Sequence, residues 1–320
     1  MPGFDIDLEL LRAFEEGLNP RHPERSVIPP SVLGFGEIST VLAMGEDYAG
    51  ALAYKRLPMF RTPQEAEAYR ALHAQYVGVL RDRIGIPVVP CETVRLDSEG
   101  RSTVYIIQER LPRQAIGHQA IHLLRPDDIQ RLILAVLRQT SKVFAFNSDA
   151  LAVGFDAQIS NWAILSFDPQ APLLEDEPSL VYFDTSAPLL RRQGVEQLNP
   201  DLFLRSAPSF LVWMIRLLFL EDVMTRYYDG HGVVIDLIAN FHKEQRAELI
   251  PALVDAANRF FSAQIENGSL DPFSTKAVRA YYREDAWIWR VYLVARKIDR
   301  ALHAALGQPY PYMLPGRIKR

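Results

Sequence analysis

Two runs decide how this chain folds: Gly154-Phe155-Asp156-Ala157-Gln158-Ile159-Ser160-Asn161-Trp162 and, further on, Leu180-Val181-Tyr182-Phe183-Asp184. Ser160 to Leu165 and Leu180 to Phe183 are short apolar runs of strand-favouring residues, separated by an acidic, proline-containing insert from Asp168 to Pro178. They predict two paired strands. Pairing sets Asp156 and Asn161 at the start of one strand and Asp184 at the end of the other, so three oxygen-bearing side chains converge. A hard cation such as Mg²⁺ takes such oxygens and keeps water and phosphate as its other ligands. Two turn formers beside a buried strand would account for Asp156 and Asn161 equally well, so the rest of the chain must decide.

Towards the N-terminus the sequence predicts five strands: Ser31 to Phe35, Ile38 to Met44, Ala51 to Leu57, Val88 to Leu96 and Thr103 to Glu109, with turns at Gly45 to Gly50 and Asp97 to Gly100. As a meander they form a mainly antiparallel sheet. A helix is inserted after the third strand, where Thr62 caps Pro63 and the helix formers from Gln64 to Leu72 follow. An earlier helix runs from Asp5, as cap, to Leu18. The first hairpin carries Gly34-Phe35-Gly36-Glu37-Ile38-Ser39-Thr40-Val41. Glycines there let backbone amides approach phosphate oxygens with no Cβ in the way. Lys55 follows on the third strand in Ala53-Tyr54-Lys55.

In this order and spacing the chain resembles the protein-kinase-like superfamily, on its small-molecule branch of aminoglycoside phosphotransferases and choline and fructosamine kinases. The resemblance implies an α+β, two-lobed fold: a five-stranded antiparallel N-lobe sheet with one inserted helix over residues 1–108, and a mainly helical C-lobe over residues 109–320. It implies that Gly34, Gly36 and Ser39 cover the nucleotide phosphates and that Lys55 contacts them. Glu65 or Glu67 would hold Lys55 by an ion pair, with Glu65 favoured because Tyr69 and Leu72 share its helix face. Gln108 and Glu109 would join the lobes beside the adenine. Asp156 would be the catalytic base or orienting group, and Asn161 and Asp184 the metal ligands. The implied activity is ATP- and Mg²⁺-dependent phosphorylation of a small-molecule hydroxyl.

Three departures from the pattern stand out. Ser39 replaces the usual third glycine, Gly154-Phe155 precedes Asp156 where a histidine is usual, and Asp184-Thr185-Ser186 replaces Asp-Phe-Gly. They leave a nucleotide-binding pseudokinase or scaffold as an alternative, with a protein kinase or a nucleotidyl transferase behind it. Ala187-Pro188-Leu189 only partly echoes the Ala-Pro-Glu of protein kinases.

Composition narrows the classes further. The 320 residues are 48% hydrophobic, enough for a core in two lobes. A formal net charge of −4 argues against a nucleic-acid partner. The single cysteine, Cys91, excludes an intrachain disulfide and a cysteine zinc site. The acidic start lacks a signal peptide's pattern, so a cytoplasmic protein is expected. The most apolar segment, Phe210 to Leu220, contains Arg216 and is followed by Glu221-Asp222, which predicts a buried helix and no membrane. Helices are expected at Ser209 to Tyr228, Val233 to Phe241, Glu244 to Ala263 and Thr275 to Leu306. The resemblance puts the small-molecule acceptor between these helices and Asp156.

Overall fold

The computed structural model describes residues 3–36, 38–44, 52–98, 100–205, 225–263 and 271–316. Strands β1 (Pro30–Phe35), β2 (Thr40–Met44), β3 (Leu52–Phe60), β4 (Cys91–Ser98) and β5 (Arg101–Glu109) form one sheet in which every pair is antiparallel. Its order is β1-β2-β3-β5-β4, so the expected meander is corrected: β5, not β4, lies beside β3. The residues explain the exchange. β5 carries Val104, Tyr105, Ile106 and Ile107, all buried, and such a run needs cover on both faces. β4, Cys91-Glu92-Thr93-Val94-Arg95, suits the edge, where charged side chains deter further pairing.

Helix α1 (Leu8–Glu16) and helix α2 (Pro63–Gly78) cover opposite faces of this sheet. The cap of α1 is Asp7 rather than Asp5, accepting from Leu10 N at 2.9 Å. Leu11 and Phe14 of α1 pack with Leu42, Tyr54, Tyr105 and Met313. Thr62 caps α2 as expected, through Glu65 N at 3.2 Å. The helix outruns Leu72 because His73 and Tyr76 are also buried, and it runs on into a π-helical turn, Val79–Ile84, that stops at Gly85, whose φ of 80° only glycine adopts readily. Strand alternation then sorts β3: Leu57 lies in the core shared with α2, while Tyr54 and Arg56 face α1.

On the α1 side sits a buried ionic cluster. Arg56 grips Glu15 with two bonds of 2.7 and 2.6 Å, and Glu15 also accepts from the hydroxyls of Thr103 and Tyr105. A third Arg56 nitrogen donates to Pro311 O at 2.7 Å, so α1, the sheet and the C-terminal segment meet at one guanidinium. Burial pushes the Glu15 carboxyl up, but Arg56 and the hydroxyl donors outweigh it and hold the group below its ordinary value.

Beyond the sheet the chain is mainly helical. Among the described residues its helices are α3 (Gly117–Ala120), α4 (Pro126–Phe146), α5 (Asp201–Leu204), α6 (Gly230–Lys243), α7 (Ile250–Ser262) and α8 (Thr275–Ala305). Short strands β6 (Leu151–Val153), β9 (Leu190–Arg192) and β10 (Val195–Glu196) form a small sheet, and β7 (Trp162–Ile164) pairs with β8 (Leu180–Tyr182). One apolar core runs from Leu57, Val104 and Ile106 of the sheet through α2 into α4, α6 and α7. The architecture is α+β, a five-stranded antiparallel sheet followed by a mainly helical part, and the β7–β8 hairpin meets the segment before β4 where Val88 bridges to Tyr182. Most of the helix expected from Ser209 to Tyr228, including the apolar Phe210 to Leu220, lies outside the described residues, as does the turn from Gly45 to Gly50. Among the described residues no helix is long and apolar enough to cross a membrane.

Candidate active site

The β7–β8 hairpin forms with Trp162 opposite Tyr182 and Ile164 opposite Leu180, both strands buried throughout. Phe155, Trp162 and Tyr182 pack beneath it with ring centroids 4.8 to 6.0 Å apart. That aromatic floor fixes the two chain segments on either side. Phe183 N donates to Asn161 O at 3.1 Å, which brings the residue before Asp184 against Asn161. Asn161 Nδ2 in turn donates to the Asp156 carbonyl at 3.3 Å. Asp156, Asn161 and Asp184 therefore gather at one end of the hairpin.

Lys55 reaches this cluster from β3. Its Nζ lies 2.8 Å from Asp184 Oδ1, and Ser186 Oγ donates to the same oxygen at 2.7 Å. Burial pushes the Asp184 carboxyl up, but Lys55 and the Ser186 bonds hold it below the ordinary carboxylate value. Since these donors share Oδ1, Oδ2 is the oxygen a cation would take. Asn161 spends its amide nitrogen on Asp156 and so has its Oδ1 to offer. Two such oxygens with water and phosphate fit a hard cation of the Mg²⁺ type. Among the described residues no three His, Cys, Asp or Glu side chains gather as a metal cage.

The phosphate-loop residues fall on the first hairpin. Gly34 lies at a bulge in β1, where an added Cβ would touch nothing within 4 Å. Gly36 N donates to Ser39 O at 2.9 Å, closing the turn, and a Cβ at Gly36 would come within 2.8 Å of Ser39 Oγ. A side chain at that second position would displace the Ser39 hydroxyl. The next pairs, Thr40 with Arg56 and Val41 with Lys55, hold the turn beside the lysine. Gln108 is buried late in β5 opposite Ala53, and Glu109 ends the strand exposed opposite Leu52.

Glu65 does not pair with Lys55. Its carboxylate binds Arg205 through two bonds of 2.6 and 2.8 Å. Hydrogen bonds from Arg205 above all, with others from the backbone, draw its pKa down to about 2. Glu67 pairs with Arg70 and Arg95. The reason is position: Glu65 sits in the first turn of α2, where Arg205 and the helix N-terminus both favour an anion. The helix instead grips the segment after Asp184. Tyr69 Oη donates to Ser186 O at 2.8 Å, and His73 Nε2 lies 2.9 Å from Thr185 Oγ1. Burial, then the nearby Lys55 charge, pushes the His73 pKa down to about 4, so the ring is neutral at pH 7. Tyr69, His73 and Ser186 therefore set Asp184 in place.

Asp156 has a neighbour that its sequence context did not identify. Gln158 links it to Asp236 of α6: Gln158 N donates to Asp156 Oδ1 at 3.0 Å and Gln158 Nε2 to Asp236 Oδ2 at 2.9 Å. Burial first, then the Asp236 and Asp184 carboxylates, pushes the Asp156 pKa up to about 7. Burial raises Asp236 as well. An open cleft with about 280 Å³ of empty space, part of it open to solvent, adjoins the pair and is lined by Gln158, Asp236, Asn240, Lys243, Tyr281 and Tyr282 among others. Asn240 Oδ1 is buried there with no hydrogen-bond partner. A carboxylate inside the apolar run Val233-Val234-Ile235-Asp236-Leu237-Ile238 was the available signal in the sequence.

No curated protein matches the sequence. Among solved structures the chain is similar to an APH(2″)-IIIa in complex with GDP and kanamycin, at 10% identity over 82% of this chain and 100% of that one, with a TM-score of 0.37. It is also similar to WaaP in complex with acyl carrier protein, at 15% identity over 73% of this chain and 90% of that one, with a TM-score of 0.32. A GDP complex of wild-type aminoglycoside 2′-phosphotransferase-IIIa gives 10% identity, 76% and 95% coverage and a TM-score of 0.35. Residues 29–301 match the family described as DUF6206, a family of unknown function, and the chain belongs to that family.

Proposed function

We propose that the chain is a phosphotransferase that moves the terminal phosphoryl group of ATP, with Mg²⁺, to a hydroxyl of a small molecule. The observation that carries this reading is the meeting of Lys55, Asp184, Asn161 and Asp156 at one end of the β7–β8 hairpin, beside the glycine turn. Lys55 holds the α and β phosphates, and Gly34, Gly36 and Ser39 cover them with backbone amides. Asn161 and Asp184 offer oxygens to Mg²⁺, which when bound neutralises phosphate charge. The acceptor lies in the cleft beside Gln158 and Asp236, its hydroxyl towards Asp156.

As the hydroxyl oxygen bonds to the γ phosphorus, its proton passes to Asp156 and the bond from phosphorus to the bridging oxygen breaks. Gln158 N–H occupies Oδ1, so Oδ2 takes the proton. A carboxyl that titrates near 7 suits this task, because a general base works best close to the ambient pH. The remaining contribution is positioning and charge neutralisation.

One observation favours a second reading, nucleotide binding without turnover. Glu65 is committed to Arg205, so Lys55 takes Asp184 itself as partner. Phosphorus NMR of ATP or GTP with Mg²⁺ and a pool of small hydroxyl compounds separates the two. Conversion of the nucleoside triphosphate to diphosphate by the wild type, absent in Asp156→Asn, is expected. Tight binding with no conversion by either protein would select the second reading.

A further inference from the structure

We propose that the outward face of α8 docks the protein on an anionic lipid surface, as a peripheral contact and not a span. Fifteen large apolar side chains are exposed among the described residues, and six of them lie on or directly after this one helix: Trp287, Val291, Val294, Ile298, Leu302 and Leu306. They are a single stripe. At about 100° per residue, Trp287, Val291, Val294, Ile298 and Leu302 fall within about 80° of one another around the axis. The opposite side of the helix is occupied, with Arg296 and Asp299 buried and Tyr281 and Tyr282 lining the cleft near Asp236. Trp287, 62% exposed, stands among the chain's most exposed large apolar residues.

Charge selects the partner. Arg279, Arg283, Arg290 and Lys297 run along one flank of the stripe, within about 40° of one another. Lys276 extends the basic character towards the helix start, and Lys297 Nζ also donates to Gly316 O at 2.9 Å. Glu284 is the one exposed acidic side chain on α8 among the described residues. Apolar side chains with a tryptophan, bordered by lysine and arginine, are what a helix lying in a lipid headgroup layer presents. Each cation near such a surface gains from its negative potential.

A second copy of the chain fits worse. Antiparallel pairing of two such stripes brings the two basic lines together. The stripe is also narrow: about 30 Å of helix about 10 Å wide covers roughly 300 Å², against about 800 Å² per partner in a stable interface. The lipid assignment revises the sequence-based expectation of no membrane contact, and it stands apart from the phosphotransferase reading.

The test uses the full chain with vesicles of phosphatidylcholine alone and of phosphatidylcholine with about one-third phosphatidylglycerol. Cosedimentation with the anionic vesicles at least about tenfold stronger than with the neutral ones is expected, with weakening at high salt. Two double variants probe the two chemistries: Val291→Ser with Ile298→Ser, and Arg279→Glu with Arg283→Glu. All four positions are on the surface, so both should keep the wild-type melting temperature and lose vesicle binding by about tenfold or more. Absence of wild-type binding to either vesicle would overturn the proposal, as would unchanged binding in both variants. So would a wild-type dimer in solution that the Val291 and Ile298 pair dissociates, which would make a second copy the occupant.

Discussion

Replacing Asp156 with Asn should remove the proposed turnover and, at about pH 8, make the protein more stable. The sign follows from the raised carboxyl. In the folded protein it titrates at about 7, against 3.8 for an ordinary aspartate, so between those values the native state holds a proton that the unfolded chain has released. Wild-type stability therefore falls as pH rises through that window, and above it the whole cost of burying the anion is felt. Asn carries no such cost and keeps an oxygen for Gln158 N–H. A full shift of that size would correspond to about 4 kcal/mol, and relaxation around a partly exposed side chain reduces the expected gain to roughly 1–3 kcal/mol. Thermal unfolding of both proteins from about pH 4 to pH 8 checks this. The curves should converge at the acid end and separate with rising pH. A variant less stable than wild type at the alkaline end would contradict the assigned environment. Stability sacrificed for a poised base is what a working site shows.

Arg56→Ala should be the most damaging single change to the fold. Arg56 is 2% exposed and supplies both short bonds to Glu15, so its removal leaves a carboxylate buried with only hydroxyl donors. Breaking a buried pair in this way costs about 3–5 kcal/mol. The bond to Pro311 O is lost as well, which loosens the C-terminal segment from the sheet. Denaturant unfolding measures the cost, and a loss below about 1 kcal/mol would show that the cluster is not the anchor described. Glu15 also fixes an acid limit. Its folded pKa is depressed, so the stability it contributes is complete above the ordinary value of 4.5 and is lost as pH falls below that and through the folded value.

Strands were legible as runs of strand-favouring residues between turn formers, and Asp156, Asn161, Asp184 and Lys55 from their order and spacing. Pairing of β7 with β8 was legible as two apolar runs, and the structure supplies the register that sets Trp162 opposite Tyr182. The order of the sheet was misread because adjacency in sequence was taken for adjacency in space. The doubly apolar β5 and the charged β4 carried the correct answer.

Glu65 failed for a different reason. An acid at the start of a helix near a lysine has several cationic candidates, and the actual partner, Arg205, is 140 residues away. The grip of Tyr69 and His73 on Thr185 and Ser186 was hidden likewise, because the hydrogen-bond target of a buried hydroxyl is set by packing. Asp236 was hidden in plain view. Its helix was predicted, but a lone carboxylate in an apolar helix signals a site only when another polar group is seen to face it.

The central claim is that Lys55, Asn161 and Asp184 form a Mg²⁺-dependent nucleotide site. Thermal unfolding of the wild type and Asp184→Ala with ATP, ADP and GTP, each with and without Mg²⁺, tests it most directly. A ligand at 100 times its dissociation constant adds about 2.7 kcal/mol to stability, a shift of several degrees. A nucleoside triphosphate is expected to stabilise the wild type more with Mg²⁺ than without, and Asp184→Ala to abolish the Mg²⁺-dependent part. No stabilisation by any nucleotide, or an equal shift in the variant, would contradict it.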